Sequence, residues 1–142
     1  MPSVPNLLRY ETIRKHYELL ERINEEKDKE VILSLCLKDI DLAEQFILEY
    51  HLYADERIKY QIEEDKILGE YDPTINYEEK YSYYHNIPRY PSFKQAAIIY
   101  EKMGMYKQAI DICDKAISLD LNDDGTKGGM EERIRKLEKK LK

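Results

Sequence analysis

The chain has 142 residues, 42% hydrophobic and 37% charged, with only five glycines and five prolines, so it fits one domain with a modest core and favours helices over a turn-rich β-sandwich. A formal net charge of −6 argues against nucleic acid as a partner, since phosphate contacts need a concentrated basic surface; only 127–142 runs the other way, with seven basic residues against three acids. No run approaches the ~20 apolar residues of a membrane span, and MPSVPNLLRY lacks the basic-then-apolar order of a secretory leader, so a cytoplasmic protein with no membrane partner is expected.

From Leu8 to Glu26, the residues Tyr10, Ile13, Tyr17, Leu20 and Ile23 recur every three or four positions with charges between them, which predicts an amphipathic helix. Asp28 can cap a second helix through EVILSLCLK. Asp41 can open a third in which Ala43, Phe46, Ile47 and Tyr50 share a face, continuing through YADERIKYQIEEDKIL until Gly69 stops it. These elements make an N-terminal helical region over 1–69.

The pattern then changes. Residues 70–91 hold three prolines and six of the thirteen tyrosines and lack a sustained helical period, so they read as a long connector lying on the helices, with room for one short turn. Tyr77, Tyr81, Tyr83, Tyr84 and Tyr90, with His85 and Arg89 among them, gather amphipathic rings and a planar cation of the kind that anchors binding surfaces. Either these rings pin the connector to the helices, or they recognise a peptide, a protein or a planar ligand.

Periodicity returns in 92–142. SFKQAAIIYEKMG predicts a helix ending at Gly104, MYKQAIDICDKAISL a second with Ile110, Cys113, Ala116 and Ile117 on one face, and MEERIRKLEKKLK a last helix with Met130, Ile134, Leu137 and Leu141 as its apolar stripe. Between the last two lies DLNDDGTKGGME, 120–131, which admits three readings. Asp120, Asn122, Asp124 and Glu131 match the side-chain ligands of a calcium hand, but Lys127 replaces the usual apolar loop residue and no second hand pairs with it. The N–H groups of Thr126, Gly128 and Gly129 with Lys127 suggest a phosphate cradle, but a helix precedes the loop and Gly128 follows Lys127, against the P-loop pattern. The third and preferred reading is a helix stop and restart. In it Gly125 or an αL-tolerant Asn122 ends one helix, Gly128 and Gly129 allow close backbone approach, and no metal is bound.

YPSFKQAAIIYEKMGMYKQAIDICDKAISLDLND resembles one tetratricopeptide repeat. Phe93, Ala96, Ala97 and Tyr100 stand at the apolar and small positions of its first helix, Gly104 and Tyr106 at its turn, and Ala109 and Ala116 at the close-packing points of its second; Leu121 departs from the usual proline. SLCLKDIDLAEQFILEY is a poorer echo without the turn glycine. The resemblance implies an all-α, tetratricopeptide-like stack of helical hairpins, with the last helix as a C-terminal cap. AIDICDKAISL followed by DGTKGG and a basic helix is also similar to small helical-repeat proteins of Gram-positive bacteria and their phages.

Chemistry has little hold elsewhere. Cys36 and Cys113 lie in apolar helical patterns without a CxxC and read as buried small hydrophobes. His16, His51 and His85 are far apart with no metal-ligand spacing, and no nucleophile or cofactor motif occurs, so neither an enzyme nor a cofactor is expected. The expected function is non-catalytic protein–protein interaction, regulatory or inhibitory, with a protein or peptide as partner and a homodimer left open. The alternative is a small-ligand or calcium-binding protein using 120–131 or the tyrosine segment.

Overall fold

The computed structural model describes residues 3–142; Met1 and Pro2 lie outside the described residues. Among these, the backbone is all-helical with no strand. It comprises α1 (Glu11–Glu25), α2 (Lys29–Asp41), α3 (Ala43–Ile67), α4 (Tyr77–Lys80), α5 (Pro91–Lys102), α6 (Tyr106–Ser118) and α7 (Gly129–Leu141), with 3-10 turns at Leu7–Arg9 and Ser82–His85.

Helix ends follow local chemistry. Asp28 caps α2 as its position predicts, accepting from the amides of Glu30 and Val31 at 2.9 and 3.3 Å. The first helix starts later than its apolar period suggests, because Asn6 caps a separate 3-10 turn and Tyr10 is extended, with ψ 123°. Asp41 ends α2 rather than opening α3. The physical reason is the carbonyl of Asp39, which accepts from the Leu42 amide at 3.0 Å and from the Tyr90 hydroxyl at 2.5 Å, a side-chain intrusion into the helical ladder that sets the break at Leu42. Three helices stop in the same way: Gly69, Gly104 and Asp120 each adopt positive φ, and the next residue's amide reaches back to Asp65, Tyr100 and Ala116 respectively, forming Schellman closures at 2.8 Å.

The chain forms two compact units. The first contains residues up to Lys15 and Gln45–Ile87. Its core includes Ile58, Tyr77 and Tyr81, with Ile62 and Tyr84 packed against them. The buried Glu49 carboxylate of α3 accepts from the amides of Thr12 and Ile13 at 2.9 and 3.4 Å, so a side chain from another helix satisfies the first turn of α1.

The second unit contains His16–Glu44 and Pro88–Lys142. In it α2 packs on α5, α5 on α6 and α6 on α7. Ala96, Ala97, Ala109 and Ala116 are buried there, where small side chains permit close helix approach, and Phe93, Cys113, Met130 and Leu137 fill the space between. Cys36 and Cys113 are free and buried, and burial pushes each thiol up to about 11, away from thiolate chemistry at neutral pH.

Candidate functional site

The tyrosine segment divides between the two units. Tyr77 and Tyr81, four residues apart and stacked with centroids 5.9 Å apart, belong to the first unit's core. The Tyr77 hydroxyl accepts from the Asp72 amide at 2.8 Å, and the Tyr81 hydroxyl donates to the buried Asp65 carboxylate at 2.5 Å. That hydrogen bond holds the Asp65 carboxyl below the usual range and, with burial, pushes the Tyr81 phenol up. Tyr84 leans on the same core, its ring under the Arg57 guanidinium at 5.1 Å. These three rings pin the connector to α3.

Tyr83 does the opposite: 54% exposed, it sits on the Ser82–His85 turn with its ring 4.6 Å from that of Tyr84. His85 bridges back to α3, its Nδ1 facing that of His51 at 2.9 Å and its Nε2 2.9 Å from an Asp55 carboxylate oxygen. The α4 turn and this 3-10 turn therefore hold Tyr83 on backbone anchored through Tyr77, Tyr81 and His85.

Arg89 and Tyr90 belong to the second unit. Arg89 is exposed and pairs with Asp123 at 3.3 Å. Tyr90 is buried in a polar cluster that sequence spacing does not reveal. Asp39, fully buried, accepts from His16 Nδ1 at 2.7 Å and from the Ser92 hydroxyl at 2.6 Å, and the Tyr90 hydroxyl lies 3.0 Å from the same carboxylate. Tyr90 also stacks on His16, with centroids 4.2 Å apart, and burial followed by the Asp39 charge drives its phenol far up. Serine, histidine and aspartate meet here, but Ser92 donates to the aspartate rather than to the histidine, which is not the order that activates a nucleophile. The one available signal was Asp39 itself, a carboxylate three and four residues beyond Cys36 and Leu35 on the buried stripe of α2. Among the described residues, no buried side-chain polar atom lacks a partner.

The 120–131 loop is closed on itself. Asn122 caps α7 from upstream, its carbonyl accepting from the Met130 amide at 2.9 Å and its side-chain oxygen from the Glu131 amide at 3.0 Å. Asp124 accepts from the Thr126 amide at 2.9 Å and from the Arg133 fork at 2.9 and 3.1 Å. Burial alone would raise its carboxyl, but Thr126 and Arg133 outweigh that and hold it below the usual range. Asp120 is the αL residue that ends α6, in place of the expected Gly125 or Asn122. Asp120, Asp124 and Glu131 do not gather as a metal-holding group, and no such group of three His, Cys, Asp or Glu occurs among the described residues. Two of the three amides expected to cradle a phosphate are already bonded, Thr126 donating to Asp124 and Gly129 to the Thr126 carbonyl at 3.1 Å. A Cβ on Gly129 would lie 2.2 Å from the Asn122 carbonyl oxygen, so the predicted close approach at the glycine pair is real.

No helix among the described residues is long and apolar enough to cross a membrane. No family model matches the chain, and neither a curated protein nor a solved structure does.

Proposed function

We propose that the chain is a non-catalytic protein–protein interaction module of tetratricopeptide-like build, a regulatory or inhibitory protein of the Gram-positive bacterial or phage kind, with a protein or peptide as partner. Buried alanines at the close-packing points of α5 and α6, the turn at Gly104, and Met130 and Leu137 of α7 buried in the second unit favour a stack ending in a capping helix. The observation that carries the interaction reading is Tyr83. A tyrosine more than half exposed, on a turn pinned by buried neighbours, offers a partner a large amphipathic surface at small entropic loss.

Tyr83→Ala is the direct test. Tyr84 packs on the core and is unsuited to it, because its removal would disturb stability together with the surface. With melting temperature unchanged, loss of a specific protein from pull-downs by Tyr83→Ala is expected; equal recovery by variant and wild type removes Tyr83 from the binding surface.

A further inference from the structure

Apolar side chains outside the first unit's core concentrate where α3 ends: Ile67 is 62% exposed, Leu68 59%, and Tyr71 and Ile75 40% each. Scattered exposed leucines are ordinary, but these four fall within 67–75. They are also fixed in place. The Schellman closure at Gly69 ties Glu70 to Asp65, Tyr71 stacks on the buried Tyr77 at 5.2 Å, and the Ile75 amide bonds to the Asp72 carbonyl at 3.1 Å.

The stretch that carries this patch is predominantly acidic. Glu63 to Lys80 contains seven acids and two lysines. Glu63 pairs with Lys66 at 3.3 Å, Asp65 accepts from Tyr81 and Gln61, and Asp72 accepts from Thr74. Glu64, Glu70, Glu78 and Glu79 have no side-chain hydrogen bond or ion pair among the described residues. Both lysines lie over rings, Lys66 over Tyr71 and Lys80 over Tyr77 and Tyr81.

We propose that this acid-rimmed apolar patch docks a basic amphipathic helix of a partner protein, whose apolar face covers Ile67, Leu68, Tyr71 and Ile75 while its Lys and Arg heads meet the unpaired glutamates. An apolar centre within a charged rim is the usual anatomy of an interface, and long basic side chains can cover apolar surface with their stems while their heads reach carboxylates. Charge also rejects the other occupants, because an anionic membrane, a nucleic acid or an acidic segment would meet four uncompensated negative charges. The inference goes beyond the Tyr83 surface and can fail without it.

The probe is a synthetic amphipathic Lys/Leu helix, titrated by fluorescence anisotropy at physiological salt beside a scrambled peptide of equal composition. Wild type is expected to prefer the amphipathic peptide. Ile67→Ser with Leu68→Ser, which leaves the charge unchanged, and separately Glu70→Gln with Glu78→Gln and Glu79→Gln, should each weaken it roughly tenfold. Glu18→Gln with Glu21→Gln on the exposed side of α1 should have no effect, nor should Tyr83→Ala. Equal binding of the scrambled peptide, or full binding by the Ile67/Leu68 variant, reduces the result to bulk charge attraction and overturns the proposal. Dimerisation of the wild type that the Ile67/Leu68 variant abolishes would make a second copy the occupant and overturn the assigned partner.

Discussion

The loop at 120–131 and the segment at 70–91 both join helices with carboxylates and turn residues, yet they are held in different ways. In the loop the backbone does the holding: Asn122, Asp123 and Asp124 each accept from an amide within the loop or at the start of α7. In the segment buried side chains do it, with Tyr77 and Tyr81 entering one unit and Tyr90 the other. A loop closed by its own amides leaves Asp123 and Asp124 little freedom to ligate anything else. A connector pinned by some of its rings presents the residues between them, and these include Tyr83, Glu78 and Glu79.

The strongest way to break this contrast is Gly129→Ala. Its Cβ would collide with the Asn122 carbonyl at φ 61°, so the Asn122 cap and the seat of α7 are expected to be lost together, at about 3 kcal/mol or more. Urea unfolding measures this directly, and a loss below ~1 kcal/mol would mean that backbone closure does not hold the loop. Next in size is Tyr90→Phe, which keeps the ring but strips a hydroxyl from the buried Asp39. A loss of about 2 kcal/mol is expected, because the one hydroxyl proton is shared between the buried Asp39 carbonyl at 2.5 Å and its carboxylate at 3.0 Å, whereas a purely apolar anchor would lose nothing.

These two positions also show where sequence reading succeeds and where it stops. Helix identity was legible from the three- and four-residue recurrence of apolar positions, and Asp28, Gly69 and Gly104 marked boundaries because their side chains, or lack of one, decide the local backbone. Asp120 was not legible as a stop, since an aspartate in αL differs by no letter from Asp123 and Asp124 beside it, whose carboxylates bond within the loop and to Arg133. The Asp39 cluster was hidden for another reason: His16, Tyr90 and Ser92 lie 23, 51 and 53 residues from Asp39, so only tertiary packing brings them together. In the segment the four-residue spacing of Tyr77 and Tyr81 was the visible sign of a shared buried face, and Tyr83, off that spacing, was the residue left outside.

A smaller effect separates side-chain pinning by its pH dependence. Tyr81→Phe should cost about 1.5 kcal/mol at neutral pH, the low end for a hydrogen bond to a carboxylate. The Asp65 carboxyl is lowered in the folded state, so its share of stability is present above the unfolded value near ~4 and lost as pH falls below it. The Tyr81 phenol is raised, so its share is present below ~10 and lost as pH rises beyond. The difference in melting temperature between wild type and Tyr81→Phe should therefore form a plateau across neutral pH and narrow toward both ends. A difference independent of pH would show that Tyr81 acts through its ring alone.

The smallest expected effect has the opposite sign. Asp120 ends α6 at φ 61°, a conformation that glycine adopts without strain, and the turn is closed by backbone amides, Asp120 donating to Ile117 and Leu121 to Ala116, with no part for the Asp120 carboxylate. Asp120→Gly should therefore stabilise the protein by about 0.5 kcal/mol, the relief at αL being partly offset by glycine's greater freedom in the unfolded chain. A calcium hand makes the reverse prediction, because the same substitution deletes its first ligand and would remove any calcium-dependent rise in melting temperature. Melting wild type and Asp120→Gly with chelator and with millimolar calcium separates the two. A gain in stability that calcium leaves unchanged identifies Asp120 as a helix stop, whereas a calcium-dependent rise lost in the variant would make the loop an ion site and end the contrast with the tyrosine segment.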